Sequence, residues 1–211
     1  FLTDIDLTDE STYDSSYMMI LYTSGSTNKP KGVPYKEETI CNILENYGKL
    51  NCRNQDSITM CCLPLNHTFA LITMVLVSLW TGGRTILMKP DAFALDPLRW
   101  FQNISKYHVT HTGGPNFMLS MLAEASDNVD DKNIDISCIK SLILGAEFIQ
   151  PDTVKKFISA VKVYGFNENS LTVNYGLTET CSSISTTEFK AGMHAVYIDA
   201  VSYTHLTLPT T

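Results

Sequence analysis

YTSGSTNKPKG, residues 22–32, follows the apolar run SYMMIL (16–21) and is the stretch on which the fold assignment depends. An apolar run that ends in hydroxyl residues and glycine is typical of a buried strand that feeds a loop. The loop carries several hydrogen-bond donors and a cation: Thr23, Ser24, Ser26, Thr27 and Lys31. Groups of this kind bind phosphate oxygens, so the stretch predicts a phosphate-binding loop.

Strand-like and helix-like segments alternate along the rest of the chain. The spacing predicts strands over 57–65, 84–88, 106–114, 138–144 and 171–176. It predicts helices over 36–50, 67–80, 96–107, 115–126 and 152–161, with Asp96 as the cap of the third. This order predicts an α/β fold of layered, largely parallel sheets flanked by helices.

Composition narrows the class of partner. Hydrophobic residues make up 44% of the chain and the net charge is −7, which argues against nucleic acid as the main partner. The longest apolar stretch, FALITMVLVSLW (69–80), is too short to cross a bilayer. The first residues are acidic and unlike a signal peptide, and the cysteines form no CxxC pair. We therefore expect a cytoplasmic protein with free thiols and no transmembrane segment.

The loop at 22–32 does not match the phosphate loop of kinases and related NTPases. That loop has the pattern GxxxxGK[ST], whereas Gly32 is followed by Val33 and Pro34. A kinase of this type is therefore disfavoured. Loops are commonly rich in Ser, Thr, Asn, Gly and Pro, so composition alone leaves an ordinary surface loop as the alternative.

The order of the residues resembles a known signature. YTSGSTNKPKG is similar to the phosphate-binding segment of the adenylate-forming superfamily: acyl-CoA synthetases, fatty acyl-AMP ligases, luciferases and peptide-synthetase adenylation domains. LGAE (144–147) and NYGLTET (174–180) resemble the adenine-lining turn and the Tyr-Gly-x-Thr-Glu segment of the same superfamily. Asn28 stands where the family has glycine or serine, and we expect it to reduce loop mobility without abolishing binding.

The resemblance implies ATP and Mg²⁺ as cofactors and assigns residues to them. The implied nucleotide contacts are Thr23, Ser24, Gly25, Ser26, Thr27, Lys31, Gly145, Ala146, Glu147, Asn174, Tyr175, Gly176 and Thr178. Tyr175 would stack on adenine, Thr178 would meet the α-phosphate and Glu179 would hold Mg²⁺. The implied catalytic set is Lys31, His67, Thr178 and Glu179.

The segments between these motifs resemble the fatty acyl-AMP ligases. LPLNH (63–67) implies that His67 lies beside the acyl pocket and the phosphates, although it could simply cap the following helix. DPLRWFQNISKYHVTHTGGPNFMLSML (96–122) resembles that branch more specifically, while Thr68 and Phe148 depart from its usual aspartate and proline. The implied substrate pocket contains His67, Gly114, Asn116 and Phe117. Asn116 and Phe117 could equally form a helix-opening turn.

Two other interpretations of these segments are less favoured. Amino-acid-activating domains carry an aspartate near this position for the substrate ammonium, and here no acid follows His67 before Asp91. His108 and His111 form HxxH, but residues three apart on a strand face opposite sides, so a zinc site is disfavoured.

The resemblance implies ATP-dependent activation of a carboxylic acid, with a fatty acid as the expected substrate. The products would be acyl-adenylate and pyrophosphate, and the acyl group would pass to a thiol of an acyl carrier protein or of CoA. The alternatives are a nucleotide-binding fragment without turnover and an amino-acid-activating adenylation domain. We expect residues 1–190 to be part of the large AMP-binding domain, 191–211 to be a tail of different origin, and the C-terminal lid domain to be absent.

Overall fold

The computed structural model describes residues 17–23, 30–127 and 134–196. Its strands are β1 (Met19–Tyr22), β2 (Gly32–Tyr35), β3 (Ile58–Cys61), β4 (Arg84–Leu87), β5 (His111–Gly114), β6 (Ser141–Leu144), β7 (Leu171–Tyr175) and β8 (Ser185–Thr186). Its longer helices are α1 (Glu37–Leu50), α2 (Val77–Trp80), α3 (Pro90–Leu95), α4 (Leu98–Tyr107), α5 (Asn116–Ser126) and α6 (Pro151–Val161), and a wide helix (Phe69–Leu76) precedes α2.

Six strands form one sheet in the order β4-β3-β5-β6-β7-β8. All neighbours pair in parallel except β7 and β8, which are antiparallel. Parallel strands need a crossover between them, and the helices supply these crossovers. The predicted α/β class with largely parallel pairing is therefore confirmed.

Helices cover both faces of the sheet, as a parallel sheet requires. Successive residues of β6 alternate between the faces: Leu142 and Leu144 pack with residues of α4, α5 and α6, whereas Ile143 packs with α1 and the wide helix. Each of these three β6 side chains is fully buried. The segment 138–144 is therefore apolar because helices cover both faces of β6.

Strand β1 differs from the prediction of a buried strand. It pairs antiparallel with β2 in a separate two-stranded hairpin. One face of the hairpin packs against the core through Met19 and Leu21, while the side chains of Ile20 and Tyr22 are 55% and 66% exposed. The prediction was wrong because an apolar run cannot show whether a second layer covers both faces of a strand.

The apolar segment after His67 is helical, as predicted, but its first part is wider than an α-helix. The N–H of Val77 donates to the carbonyl of Ile72, five residues earlier, which is the hydrogen-bond pattern of a π-helix. The segment becomes α-helical at Val77. Within the described residues, no helix has the length and hydropathy required to span a bilayer.

Asp96 does not cap α4, contrary to the prediction. Pro97 occupies the N-cap position, and no side-chain cap is present. The Asp96 carboxylate instead lies 3.1 Å from Nε of Arg99, within the first turn. The short helix α3 before it and the two-residue strand β8 were not predicted.

The cysteines are unpaired, as expected, but not uniformly buried. Cys61, Cys62 and Cys181 are buried, Cys41 and Cys138 are half-buried, and Cys52 is exposed. Burial raises the pKa of the Cys62 thiol to about 12 and that of Cys181 to about 11, so both are protonated at neutral pH. The expectations for Ser24, Gly25, Ser26, Thr27, Asn28 and residues 197–211 concern positions outside the described residues.

Candidate functional site

A cleft of about 230 Å³ lies at the carboxyl ends of the parallel strands. Ligands of open α/β sheets commonly bind at this edge. Its lining residues are Thr23, His67, Thr68, Phe69, Ala146, Asn174, Gly176, Leu177, Thr178, Glu179 and Ser182. They come from four separate segments: the hairpin, the loop after β3, the turn after β6 and the turn after β7.

The hairpin brings the two ends of the predicted phosphate loop together. The N–H of Thr23 donates to the carbonyl of Lys31 at 2.9 Å, and the N–H of Lys31 lies 3.4 Å from Oγ1 of Thr23. Thr23 lines the cleft, and the exposed Lys31 flanks it.

His67 lies in the cleft and also closes the start of the wide helix. Its ring atom Nδ1 accepts a hydrogen bond from the N–H of Phe69 at 3.2 Å, and its carbonyl accepts from Leu71. With Nδ1 as acceptor, a neutral ring carries its proton on Nε2. The two interpretations of His67, capping and site residue, are therefore compatible.

A tight turn after β7 presents Thr178 and Glu179 to the cleft. A Cβ atom on Gly176 would lie 1.8 Å from the carbonyl oxygen of Ser182, so only glycine permits this close approach. The turn closes through Ser182, whose N–H donates to the carbonyl of Leu177 at 3.0 Å. Cys181 and Ser182 adopt φ values of 55° and 84°, in the left-handed region.

Two side chains tether this turn to the rest of the domain. The hydroxyl of Tyr35, at the end of β2, donates to the carbonyl of Thr178. The hydroxyls of Thr73 and Ser182 are hydrogen-bonded at 2.9 Å, which joins the wide helix to the turn. Burial raises the pKa of Tyr35 to about 12, with smaller contributions from Cys181 and Glu179, so this hydroxyl stays protonated.

Glu179 is the only acid among the described residues that line the cleft. The described residues hold no group of three or more His, Cys, Asp and Glu side chains that could form an all-protein metal site. Mg²⁺ at nucleotide sites is commonly held by one or two carboxylates together with the phosphates. The donor set of this cleft therefore fits Mg²⁺ bound jointly by Glu179 and a nucleotide.

A second group of predicted residues lies outside the cleft lining and clamps two loops together. Asn116 Oδ1 accepts from the N–H of Gln150 at 3.0 Å, and Glu147 Oε1 accepts from the N–H of Phe117 at 2.6 Å. The N–H of Gly145 lies 3.4 Å from the carbonyl oxygen of Gly114.

The aromatic rings of this region are accessible to a ligand. The side chain of Phe117 is 54% exposed, and that of Tyr175, at the end of β7, is 60% exposed. An exposed ring beside the cleft is available to stack on a base. The adenine-stacking role of Tyr175 stays a prediction.

Sequence reasoning missed several contributors to the cleft and its support. Thr68, Leu177 and Ser182 line it, and Phe69 lines it from the wide helix. Tyr35 and Thr73 support it through hydrogen bonds to the turn after β7. The position of Tyr35 just after Pro-Lys-Gly gave no signal, because its contact with Thr178 spans 143 residues of sequence.

The HxxH pair is not a metal site in this structure. His108 ends α4 in a left-handed conformation with φ of 51°, whereas His111 begins β5 and is buried. The two ring nitrogens of His111 are hydrogen-bonded, one to Thr110 Oγ1 at 2.8 Å and the other to the carbonyl of Asn51 at 3.0 Å.

Comparison with known proteins now decides the family. A family model described as AMP-binding enzyme matches residues 6–204. The chain belongs to this family. Within it, the resemblance to fatty acyl-AMP ligases is confirmed by the relatives that follow.

Two curated relatives are fatty-acid ligases. The chain is 33% identical over 165 residues to the medium-chain-fatty-acid–[acyl-carrier-protein] ligase JamA of Moorena producens, covering 78% of this chain and 28% of JamA. It is 31% identical over 193 residues to the probable long-chain-fatty-acid–AMP ligase FadD30 of Mycobacterium tuberculosis, covering 89% and 32%. The chain thus spans about a third or less of the length of these relatives.

Solved structures of the family share the fold. The fatty acid AMP ligase of Legionella pneumophila matches with a TM-score of 0.78 and 28% identity, over 82% of this chain and 30% of that one. The structure of McyG A-PCP complexed with phenylalanyl-adenylate matches with a TM-score of 0.79 and 25% identity, over 84% and 28%. The chain therefore has the fold of part of an adenylate-forming enzyme.

Proposed function

We propose that this chain carries the ATP-binding part of a ligase that activates a carboxylic acid, most specifically a fatty acid, as its acyl-adenylate. The observation that carries the proposal is the meeting of Thr23, His67, Ala146, Thr178 and Glu179 in one cleft. From Thr23 to Glu179 these residues span more than 150 positions of the sequence, so their convergence supports one shared ligand.

In the proposed reaction, a carboxylate oxygen of the substrate attacks the α-phosphorus of ATP. A bond forms between that oxygen and phosphorus, the bond from phosphorus to the bridging oxygen breaks, and pyrophosphate leaves with the electron pair. An anion must approach a polyanion, so positioning and charge neutralisation supply most of the rate. When bound, Mg²⁺ supplies neutralisation and orientation of the phosphates.

Each residue at the cleft has a distinct role in the proposed reaction. Thr23, which follows β1, and Lys31, which precedes β2, hold the outer phosphates. The Thr178 hydroxyl donates to the phosphate that is attacked. Glu179 holds the metal, and His67 donates from Nε2 toward the reacting groups, because its Nδ1 is occupied by Phe69. Ala146 borders the nucleotide, and Tyr175 offers a ring face to adenine.

The acyl group then passes to a thiol. JamA is described as an acyl-carrier-protein ligase and FadD30 as a probable AMP ligase. The description of JamA favours an acyl carrier protein over CoA as acceptor. The atoms balance when the thiolate sulfur bonds to the acyl carbon and AMP leaves with the oxygen.

Among the described residues, Glu179 is the only acid that lines the cleft, which supports a fatty acid over an amino acid as substrate. An amino acid substrate carries an ammonium group, which needs a counter-charge when it is removed from water. Thr68, which lines the cleft, is neutral, and Glu179 is committed to the metal. The phenylalanyl-adenylate bound by McyG makes amino acids the comparison to test.

The test is ATP–pyrophosphate exchange by the complete gene product. Fatty acids of increasing chain length and the common amino acids are supplied one at a time with Mg²⁺. Exchange stimulated by fatty acids supports the proposal. Exchange stimulated by amino acids alone would show that the substrate is an amino acid and not a fatty acid. No exchange with any acid would refute the proposed adenylation activity.

A further inference from the structure

The hairpin that carries the loop and the turn that carries Glu179 are joined by one buried hydroxyl. Tyr35 ends β2, in which Gly32 and Tyr35 pair with Tyr22 and Met19 of β1. Its side chain is 3% exposed and passes behind the cleft without lining it. Its hydroxyl reaches the carbonyl of Thr178, which also accepts the N–H of Cys181 at 3.0 Å.

We propose that Tyr35 is a positioning residue that fixes the Thr178–Glu179 turn relative to the β1–β2 hairpin, and thereby sets the affinity for Mg²⁺ with ATP. The inference rests on the proposed function. Tyr35 touches neither nucleotide nor metal, and it acts through Thr178 and Glu179.

The geometry supports a positioning role because Tyr35 reaches the part of the turn that bears Thr178 and Glu179, whereas the buried Cys181 anchors its far end. Glu179 is exposed, Thr178 is half-buried, and both belong to a single short turn, so packing holds the Glu179 side chain weakly. The other tether is the Thr73–Ser182 hydrogen bond at the far end of the turn. Metal sites depend on such outer hydrogen bonds to orient the ligands, and their loss typically weakens metal affinity.

The hydroxyl is also in the right electrostatic state for this role. Burial, then Cys181 and Glu179, raise the pKa of Tyr35 to about 12, so it is a hydrogen-bond donor throughout the working pH range.

The experiment measures binding of a fluorescent ATP analogue to the complete gene product during a Mg²⁺ titration. Tyr35→Phe keeps the ring and removes only the hydroxyl. Its Mg²⁺ concentration at half-maximal binding should rise about fivefold, the factor that corresponds to the loss of one hydrogen bond. Tyr47→Phe is the matched control, since the Tyr47 hydroxyl is also buried but lies near Asn51 and Thr186 and not at the Thr178–Glu179 turn. Its midpoint should stay at the wild-type value.

The outcomes separate positioning from stability. A lower melting temperature for Tyr35→Phe with an unchanged Mg²⁺ midpoint would overturn the inference and leave only a structural role. If Tyr35→Phe does not fold, Thr73→Val tests the same turn from its other tether, and an unchanged midpoint there overturns the inference as well. If the wild-type protein shows no Mg²⁺-dependent ATP binding, that result would instead refute the proposed function, and the inference with it.

Discussion

The carboxylate of Glu147 accepts a 2.6 Å hydrogen bond from the backbone N–H of Phe117. With the bond from Gln150 to Asn116, this contact joins the start of α5 to the segment that leads into α6. The family resemblance assigns Glu147 to the nucleotide, whereas this geometry gives its side chain a structural partner. The two roles make different predictions for substitution.

We expect Glu147→Gln to keep both stability and ATP affinity close to wild type, because the amide oxygen can still accept from Phe117. Glu147→Ala should lower the free energy of unfolding by about 1 kcal/mol, the net value of one hydrogen bond. Urea denaturation and an ATP titration of both variants measure these effects. Glu124→Ala is the control, since its carboxylate is exposed and lies 4.0 Å from Lys156.

A different result would restore the nucleotide role. If Glu147→Gln binds ATP at least about tenfold more weakly while its unfolding is unchanged, the charge of the carboxylate acts on the ligand, a loss of about 1.4 kcal/mol.

Gly176→Ala should disrupt the turn that presents Thr178 and Glu179. The added methyl would lie 1.8 Å from the carbonyl oxygen of Ser182, a backbone atom that cannot move alone. We expect a loss of about 2–4 kcal/mol in the free energy of unfolding, together with loss of ATP binding. Urea denaturation and an ATP titration provide the measurements.

Gly82→Ala separates the steric effect from backbone strain. Gly82 has φ of 74°, but the nearest atom to an added Cβ, in Gln55, lies at an ordinary 3.7 Å. Its replacement should cost about 1 kcal/mol through conformation alone. Equal losses at the two positions would show that the Ser182 contact can relax.

Because His111 is buried, we expect the free energy of unfolding to fall in acid. Burial, then the nearby Arg53 and Lys140, lower its pKa to about 3, against the hydrogen bond to Asn51, which raises it. The unfolded chain takes up a proton near the ordinary value of about 6.5, while the folded chain does not, so stability is present above that pH and is lost below it. We expect His111 alone to lower the free energy of unfolding by about 3 kcal/mol between pH 7 and pH 4.

Urea denaturation at a series of pH values measures this effect. His111→Gln should flatten the dependence between pH 7 and pH 4, even though it is less stable at pH 7. His108→Asn is the matched control, because His108 is exposed and asparagine tolerates its left-handed backbone. Parallel pH profiles for wild type and His111→Gln would assign the acid sensitivity to other groups.

The sequence predicted what depends on local pattern. The parallel order followed from strands alternating with helices, and LGAE and NYGLTET were placed at strand ends because each follows an apolar run. The pattern could not show that β1 lies outside the sheet, since covering layers come from distant residues. Nor could it show the Tyr35–Thr178 bond, whose partners meet only when the hairpin packs beside β7. Long-range contacts of this kind carry no local periodicity.

Glu179 carries the sharpest prediction for activity. It is the only acid that lines the cleft among the described residues, so no other carboxylate there can replace it as a metal ligand. In the complete gene product, Glu179→Gln keeps the size of the side chain and removes its charge. ATP–pyrophosphate exchange should fall at least about a hundredfold, the usual cost of one charged contact in the transition state. Glu188→Gln, which alters an exposed carboxylate away from the cleft, should leave exchange unchanged.

Near-normal exchange by Glu179→Gln at saturating Mg²⁺ and at limiting Mg²⁺ would refute the assignment of Glu179 as a metal ligand. Recovery only at high Mg²⁺ would instead be the signature of a weakened metal ligand, because excess metal compensates for lost affinity but not for a missing catalytic group.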